Sequence, residues 1–164
     1  MTAPNWRIDL KTKVLSVINT VTPIQSKTNI FHKFELDKDY EEMKIYFSYS
    51  PKIHADREKS LELINESMAY YAPAPYEKAY GRAEDYLPIV NLITISLEDC
   101  NGYRGCAHRH DEKQIHTLNE TFASPGFYKG KISKGIWCVG VNLHCVITDN
   151  CSYEIEIFAE DTRE

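Results

Sequence analysis

The sequence predicts a mainly β fold, an antiparallel, jelly-roll-like β-sandwich with one inserted α-helix at about residues 56–71. Apolar residues take every second position over 137–145 and again over 153–157, as in strands that bury one face. Only 56–71 has a strong three- and four-residue spacing of apolar residues, as in an amphipathic helix. Helices and strands therefore do not alternate regularly, as they do in doubly wound α/β folds.

The first elements of the chain are predicted strands. Residues 9–21 are expected to form one strand or a bent pair of strands ended by Thr22 and Pro23, although their apolar spacing also suits a helix. Residues 30–36 and 43–49 alternate in the same way on either side of an acidic turn. This pattern predicts two strands joined as a hairpin.

The predicted helix has a start signal and a stop signal. Asp56 can cap the helix by accepting a hydrogen bond from a free N–H group of the first turn. The apolar positions of the helix are Leu61, Ile64, Met68 and Tyr71. Tyr71 is expected to have a core role, and Pro73 and Pro75 are expected to end the helix. The following segment, up to Pro88, is predicted to be a long ordered loop.

Further strands are predicted beyond this loop. Residues 93–97 alternate, and the Asn101-Gly102 pair after them is a strong signal for a tight hairpin turn. The return strand is expected over 103–110.

The last two predicted strands, 137–145 and 153–157, are expected to pair with each other. Directly opposed residues point to the same face, so inward positions must face inward positions. A loop of residues 149–151 satisfies this rule by placing Cys145 opposite Ile155.

The composition fits one globular domain over residues 1–164. The chain is 26% charged and 43% hydrophobic, with no internal repeat or linker, and residues 1–6 and 160–164 are expected to be disordered. The formal net charge of -5 without a Lys/Arg run argues against nucleic-acid binding. No apolar run is long enough to span a membrane. Five cysteines without a secretory signal favour free thiols and a cytoplasmic location.

Several short motifs together resemble one known family. They are Phe47-Ser48-Tyr49-Ser50-Pro51, Leu97-Glu98-Asp99, Asn101-Gly102-Tyr103-Arg104-Gly105, Ala123-Ser124-Pro125-Gly126-Phe127, Lys129-Gly130-Lys131-Ile132, Gly135-Ile136-Trp137 and Tyr153-Glu154-Ile155. In this order they resemble the N-terminal β-sandwich module of CehA/McbA-type proteins, whose second module is a metal-dependent PHP phosphoesterase. The resemblance implies an accessory module without catalytic residues of its own. It further implies that such a module docks against a PHP-type phosphoesterase domain.

Two clusters suggest metal sites. His108 and His110 would share one face of a strand and, with His116, could bind zinc, as in a small metal-dependent hydrolase. The alternative is that they are exposed or sheet-face histidines beside a solvated turn. Asp99 and its neighbours could hold calcium, but their side chains also suit hydrogen bonds to the backbone of the turn. Cys145 is expected to be a small core residue rather than a nucleophile.

The sequence also suggests a binding surface. Tyr76, Tyr80 and Tyr86 follow the helix, and tyrosine rings can stack on sugars or fill a partner's pocket. Asp99 and Arg104 are added as contact candidates, although a structural salt bridge between them is an alternative. We therefore expect a non-catalytic binding module that docks a protein partner or binds carbohydrate. The alternative function is a small metal-dependent hydrolase or a zinc-binding protein that uses His108, His110 and His116.

Overall fold

The computed structural model describes residues 9–71 and 80–162. Its regular elements are eight strands and one helix. In chain order they are β1 (Asp9–Val21), β2 (Thr28–Leu36), β3 (Glu42–Ser50), α1 (Arg57–Tyr71), β4 (Leu92–Asp99), β5 (Gly102–Ala107), β6 (Lys113–Asn119), β7 (Gly135–Cys145) and β8 (Cys151–Thr162).

The strands form two antiparallel four-stranded sheets packed face to face. One sheet has the order β1-β8-β3-β6 and the other has the order β2-β7-β4-β5. This is the strand order of an eight-stranded jelly roll, so the predicted fold class is confirmed. Among the described strands, only β4 and β5 are consecutive neighbours in one sheet. Their turn follows the Asn101-Gly102 signal, with Asp99 paired to Gly102.

The other two predicted hairpins are wrong. Strands β2 and β3 lie in different sheets, and so do β7 and β8. Cys145 therefore pairs with Leu92, while Ile155 pairs with Val17 and Phe47. Inward faces also meet when the chain crosses from one sheet to the other, so matching inward faces do not require a hairpin.

The interior lies between the sheets and is built from alternating positions. Trp137, Val139, Val141 and Leu143 of β7 are buried, whereas Cys145 is half-buried. Tyr153, Ile155 and Ile157 of β8 face them from the other sheet and are also buried. Strands β3 and β4 complete the core with Met43, Ile45, Phe47, Tyr49, Ile93, Ile95 and Leu97.

Two segments of the chain, one near each end, are compared with their predictions. The segment 9–21 is a single strand with an irregularity between Lys13 and Leu15, not a helix. Residues 160–162, which were expected to be disordered, continue β8 because β1 pairs with them along its first residues. The helix agrees with its prediction. No helix in the described part of the chain combines the length and the apolar character needed to cross a membrane.

The segment 122–128 covers one side of the sandwich. The backbone N–H of Cys106 on β5 donates to the Gly126 carbonyl at 2.9 Å, and Ser124 N–H donates to the Thr117 carbonyl on β6 at 2.8 Å. Gly105 and Gly126 approach so closely that a Cβ on Gly105 would lie 2.3 Å from the Gly126 carbonyl oxygen. Both have positive φ angles, which glycine adopts without strain.

Candidate functional site

An apolar groove lies between α1 and one end of the sandwich. Its volume is about 480 Å³. The helix lines it with Leu63, Ile64, Ser67, Met68 and Tyr71. The rest of the lining is Tyr80, Tyr86, Pro88, Ile89, Val90, Cys145 and Ile147. A groove of this size and composition is typical of binding sites for small molecules or for side chains of another protein.

The helix is anchored mainly at its start. The Asp56 side chain accepts a hydrogen bond from Lys59 N–H at 2.9 Å, as the sequence predicted. Ser60 Oγ donates to the Asp56 carbonyl at 2.6 Å and lies 3.1 Å from His54 Nδ1. Of the fifteen helical residues, only Ser60 and Ile64 are buried.

The apolar stripe of the helix is consequently only partly covered. Leu63 and Met68 are half-buried, and Tyr71 is 66% exposed. The expected core role of Tyr71 is therefore wrong, because the sandwich does not extend under the last turn of the helix. These side chains line the groove instead.

The floor of the groove is positioned by one buried polar residue, Asn91. Its side-chain N–H groups donate to the Pro51 carbonyl and to Thr148 Oγ1, both at 2.8 Å. Its side-chain oxygen accepts from Ile147 N–H at 2.7 Å. Asn91 thus ties the end of β3, the start of β4 and the β7–β8 connection together. This arrangement sets Val90 and Ile147 beneath the helix.

Two of the three tyrosines predicted as a binding surface line this groove. Tyr80 is 48% exposed and Tyr86 is 46% exposed, and the Tyr86 hydroxyl donates to the Tyr80 carbonyl. Tyr70 contacts Tyr71 edge to face, with ring centroids 4.7 Å apart. Tyr76 lies outside the described residues. The sequence had not indicated Ile89, Val90 and Ile147, because they come from separate segments that only the tertiary fold brings together.

The helix side of the groove, residues 56–71 and 80–86, carries excess negative charge, whereas Lys27 lies near Cys145. Across residues 56–71 and 80–86, six exposed carboxylates outnumber three exposed basic side chains, a net charge of -3 (3 minus 6). The acids are Asp56, Glu58, Glu62, Glu66, Glu84 and Asp85, and the bases are Arg57, Lys59 and Arg82. Cationic groups on an incoming partner would be attracted to this region.

Asp99 and Arg104, predicted as contact residues, do not line the groove. The Arg104 guanidinium lies 2.7 Å from the Asp99 carboxylate, and the two side chains are only 9% and 4% exposed. Arg104 also donates to the carbonyls of Tyr128, Gly130 and Lys131. The pair is the structural salt bridge that the sequence left open as an alternative.

Both carboxylate oxygens of Asp99, the predicted calcium ligand at this turn, already have hydrogen-bond partners. One carboxylate oxygen accepts from Asn101 N–H at 2.7 Å, and the other is bonded to Arg104. The side chain therefore stabilises the turn, as expected from the turn chemistry of aspartate.

The three histidines of the zinc alternative are not brought together. His108 and His110 are exposed beyond the end of β5, whereas His116 is fully buried on β6, in the other sheet. His116 Nε2 donates to Gln114 Oε1 at 2.9 Å, and desolvation lowers the pKa of His116 to about 4. No group of three or more His, Cys, Asp or Glu side chains among the described residues could hold a metal ion.

The described cysteines show no sign of nucleophile activation. All five are free thiols, and Cys145 lines the groove. Burial raises the pKa of Cys145, and it raises the pKa of Cys106, Cys138 and Cys151 as well. The reactive thiolate is disfavoured at all four positions.

A second, polar cavity of about 660 Å³ lies on the outer face of the β1-β8-β3-β6 sheet. Lys44 is central to it and contacts Glu42 at 3.0 Å and Glu160 at 2.8 Å. Asn119 donates to Glu42 at 3.0 Å. These charged groups already satisfy one another, so the apolar groove is the stronger candidate for a binding site.

Comparisons with known proteins add no functional information. No family model matches the chain, and no curated protein matches it. A crystal structure of a protein from Sulfurospirillum deleyianum aligns over 86% of this chain and 96% of its own chain. The sequence identity is 10% and the TM-score is 0.31, a likeness too weak to support an argument.

Proposed function

We propose that this protein is a non-catalytic binding module that docks an apolar segment of a partner protein in the α1 groove. The observation that carries the proposal is the incompletely buried helix. Met68, Tyr71 and the side chains opposite them form a concave apolar surface that nothing in the described chain covers. Aromatic residues around an apolar pocket are the usual anchors of protein interfaces.

The groove lining favours a protein partner over carbohydrate. Sugar recognition needs several polar groups beside the aromatic rings, because each buried hydroxyl must find a hydrogen-bond partner. In this groove the side-chain hydroxyls of Ser67 and the tyrosines are almost the only polar side-chain groups. Leu63, Met68 and Ile147 are better matched to aliphatic or aromatic side chains.

The negative charge of α1 and of residues 80–86 indicates which kind of partner segment would bind. A net charge of -3 around the helix favours an apolar segment flanked by lysine or arginine. A PHP-type phosphoesterase domain, the partner that the sequence resemblance suggests, remains one proposal for the protein that supplies this segment.

Methyl NMR of the methionines gives a direct test. The probe is a synthetic amphipathic peptide with leucine and phenylalanine on one face and lysines at both ends. We expect it to shift the methyl resonance of Met68 in the groove and to leave that of Met43, which is fully buried in the core, unchanged. A peptide with glutamates in place of the lysines should bind about tenfold or more weakly.

Two variants on the same helix form a matched pair. Met68→Glu places a charge in the groove and should abolish peptide binding, whereas Asn65→Glu adds the same charge at an exposed position that does not line the groove. Calorimetric titration with the peptide compares the two variants, because Met68→Glu lacks the methyl reporter, and equal binding by both variants would contradict the proposal. So would a Met68 resonance that responds to soluble oligosaccharides but not to either peptide.

A further inference from the structure

The four edge strands of the sandwich are protected unequally. Segment 122–128 covers β5 and β6 with backbone hydrogen bonds, as described above. Strand β2 carries the charged residues Lys33 and Glu35 in its C-terminal half. Strand β1 has no strand on its outer side among the described residues. Exposed edge strands invite pairing with another strand unless charge, proline or a covering segment prevents it.

The central part of β1 lacks these protective features. Residues 14–21 form an eight-residue run without charge, proline or glycine, and five of the eight are Val, Leu or Ile. The lysines of this strand, Lys11 and Lys13, lie beyond the irregularity at Val14. A long uncharged edge of this kind is open to strand addition.

The backbone directions of β1 can be worked out from its hydrogen bonds. Thr20 N–H donates to the Asn19 side chain at 2.9 Å, so it points away from β8. Backbone groups alternate in direction along an antiparallel strand. The N–H and C=O groups of Ser16 and Ile18 therefore point outward, and those of Val17 point toward its partner Ile155 on β8.

We propose that a second copy of this chain pairs with this edge, β1 against β1, about a two-fold axis through Val17. Ser16 and Ile18 of one copy then exchange backbone hydrogen bonds with Ile18 and Ser16 of the other. The half-buried side chains of Val17 meet across the axis, where opposed residues come closest. No charged side chain faces a like charge, because the paired residues all lie within the uncharged run. Two four-stranded sheets become one continuous eight-stranded sheet.

The symmetry of this pairing favours a second copy of the chain as the partner. A two-fold interface must be complementary to itself. The run is uncharged in both directions from Val17 and contains only small polar residues among its Val, Leu and Ile side chains, so it meets that condition. Ile18 is 75% exposed on the outer face of the sheet in one copy. In the dimer it lies beside a strand of the second copy.

Analytical ultracentrifugation of the full chain over a concentration series tests the pairing. We expect the mass to rise from 19.0 kDa to twice that value as concentration increases. Ile18→Pro removes one outward N–H without touching the β8 ladder and should abolish the rise. Ile115→Lys is the control, since Ile115 is 64% exposed on the same sheet but on the covered edge strand β6; it should leave the rise unchanged.

Hydrogen exchange in the unmodified protein gives a second measurement that does not depend on a variant folding. The amides of Ser16 and Ile18 should exchange more slowly at high concentration, whereas the amides of β6, at the opposite edge of the same sheet, should not change. A mass of 19.0 kDa at every concentration overturns the proposal. Masses beyond the dimer, or a dimer that persists in Ile18→Pro, also overturn it.

Discussion

Arg104 organises the long connection between β6 and β7. Its guanidinium is buried against the ring of Trp137, 5.2 Å from the ring centroid, and bonds to Asp99 and to three backbone carbonyls of residues 128–131. A planar fork with five N–H donors can serve all of these acceptors at once, which a lysine ammonium cannot do. The same connection supplies the segment that covers β5 and β6.

Replacing Arg104 should therefore be costly. Arg104→Met leaves the Asp99 carboxylate buried and unpaired, so we expect the free energy of unfolding to fall by about 3–5 kcal/mol. Arg104→Lys keeps the charge, so its loss of unfolding free energy should be smaller than that of Arg104→Met but still measurable. Arg82→Met is the control, because Arg82 and its partner Glu84 are exposed to solvent and such pairs contribute little to stability. Urea denaturation measures all three, and equal losses for Arg104→Met and Arg82→Met would contradict a structural role.

At the scale of elements, the groove depends on how three chain segments are fixed to one another. Asn91 stands at the start of β4, but its side chain bonds to Pro51 after β3 and to Ile147 and Thr148 between β7 and β8. Lys52 adds a contact to the Asn91 carbonyl at 3.0 Å. The end of the sandwich next to α1 is thus held by buried polar contacts rather than by helix packing.

Asn91→Ala should loosen this end of the molecule. The substitution leaves the backbone N–H groups of Ile147 and Thr148 without their acceptor and removes a donor from the Pro51 carbonyl, which should lower the free energy of unfolding by roughly 3 kcal/mol. The amide of Ile147 should exchange faster, and the methyl resonance of Met68 should shift because the groove floor moves. Asn150→Ala, at an exposed position in the same connection, should change stability by less than about 0.5 kcal/mol. If the Met68 resonance stays in place in Asn91→Ala, the amide does not position the groove.

At the scale of the whole molecule, the alternation of apolar and polar residues predicts which side chains are buried, but it does not predict to which sheet each strand belongs. The alternating apolar residues of both strands face inward as predicted, from Trp137 to Leu143 in β7 and from Tyr153 to Ile157 in β8. In a jelly roll, consecutive strands usually cross between sheets, and the periodicity of two is the same for a crossing as for a hairpin. The turn at Asn101-Gly102 was predictable because its conformation is specified by local residues.

The candidate site was predictable only in part, for a related reason. Tyr80 and Tyr86 follow the helix closely in sequence and were expected to form a surface. The groove floor includes Ile89 and Ile147, which are far apart in the chain, and no local pattern predicts that they line one groove. Tyr71 fits the helical stripe, yet its burial depended on how far the sheets extend beneath the helix.

The stability of the whole sandwich should depend on pH through His116. This residue is fully buried beside Phe127, its Nε2 is bonded to Gln114, and its Nδ1 has no hydrogen-bond partner within the described chain. Desolvation, with a smaller contribution from Arg109, lowers the pKa of His116 to about 4 from its ordinary value of 6.5. Between these two pH values the unfolded chain binds a proton that the folded chain does not bind. The free energy of unfolding therefore falls as the pH falls from 6.5 to 4, by about 3 kcal/mol at 1.36 kcal/mol for each pKa unit.

A non-titrating residue at this position should remove most of that dependence. His116→Phe keeps an aromatic ring in the core, and although the unpaired Gln114 costs some stability, the loss should be nearly independent of pH between 6.5 and 4. His110→Gln, at an exposed position, should retain the slope of the unmodified protein. Urea denaturation at several pH values measures these slopes, and the transition should remain a single step because His116 lies in the one core shared by both sheets. An unmodified protein with no slope between pH 6.5 and 4 would show that His116 takes up its proton as readily in the folded state as in the unfolded state.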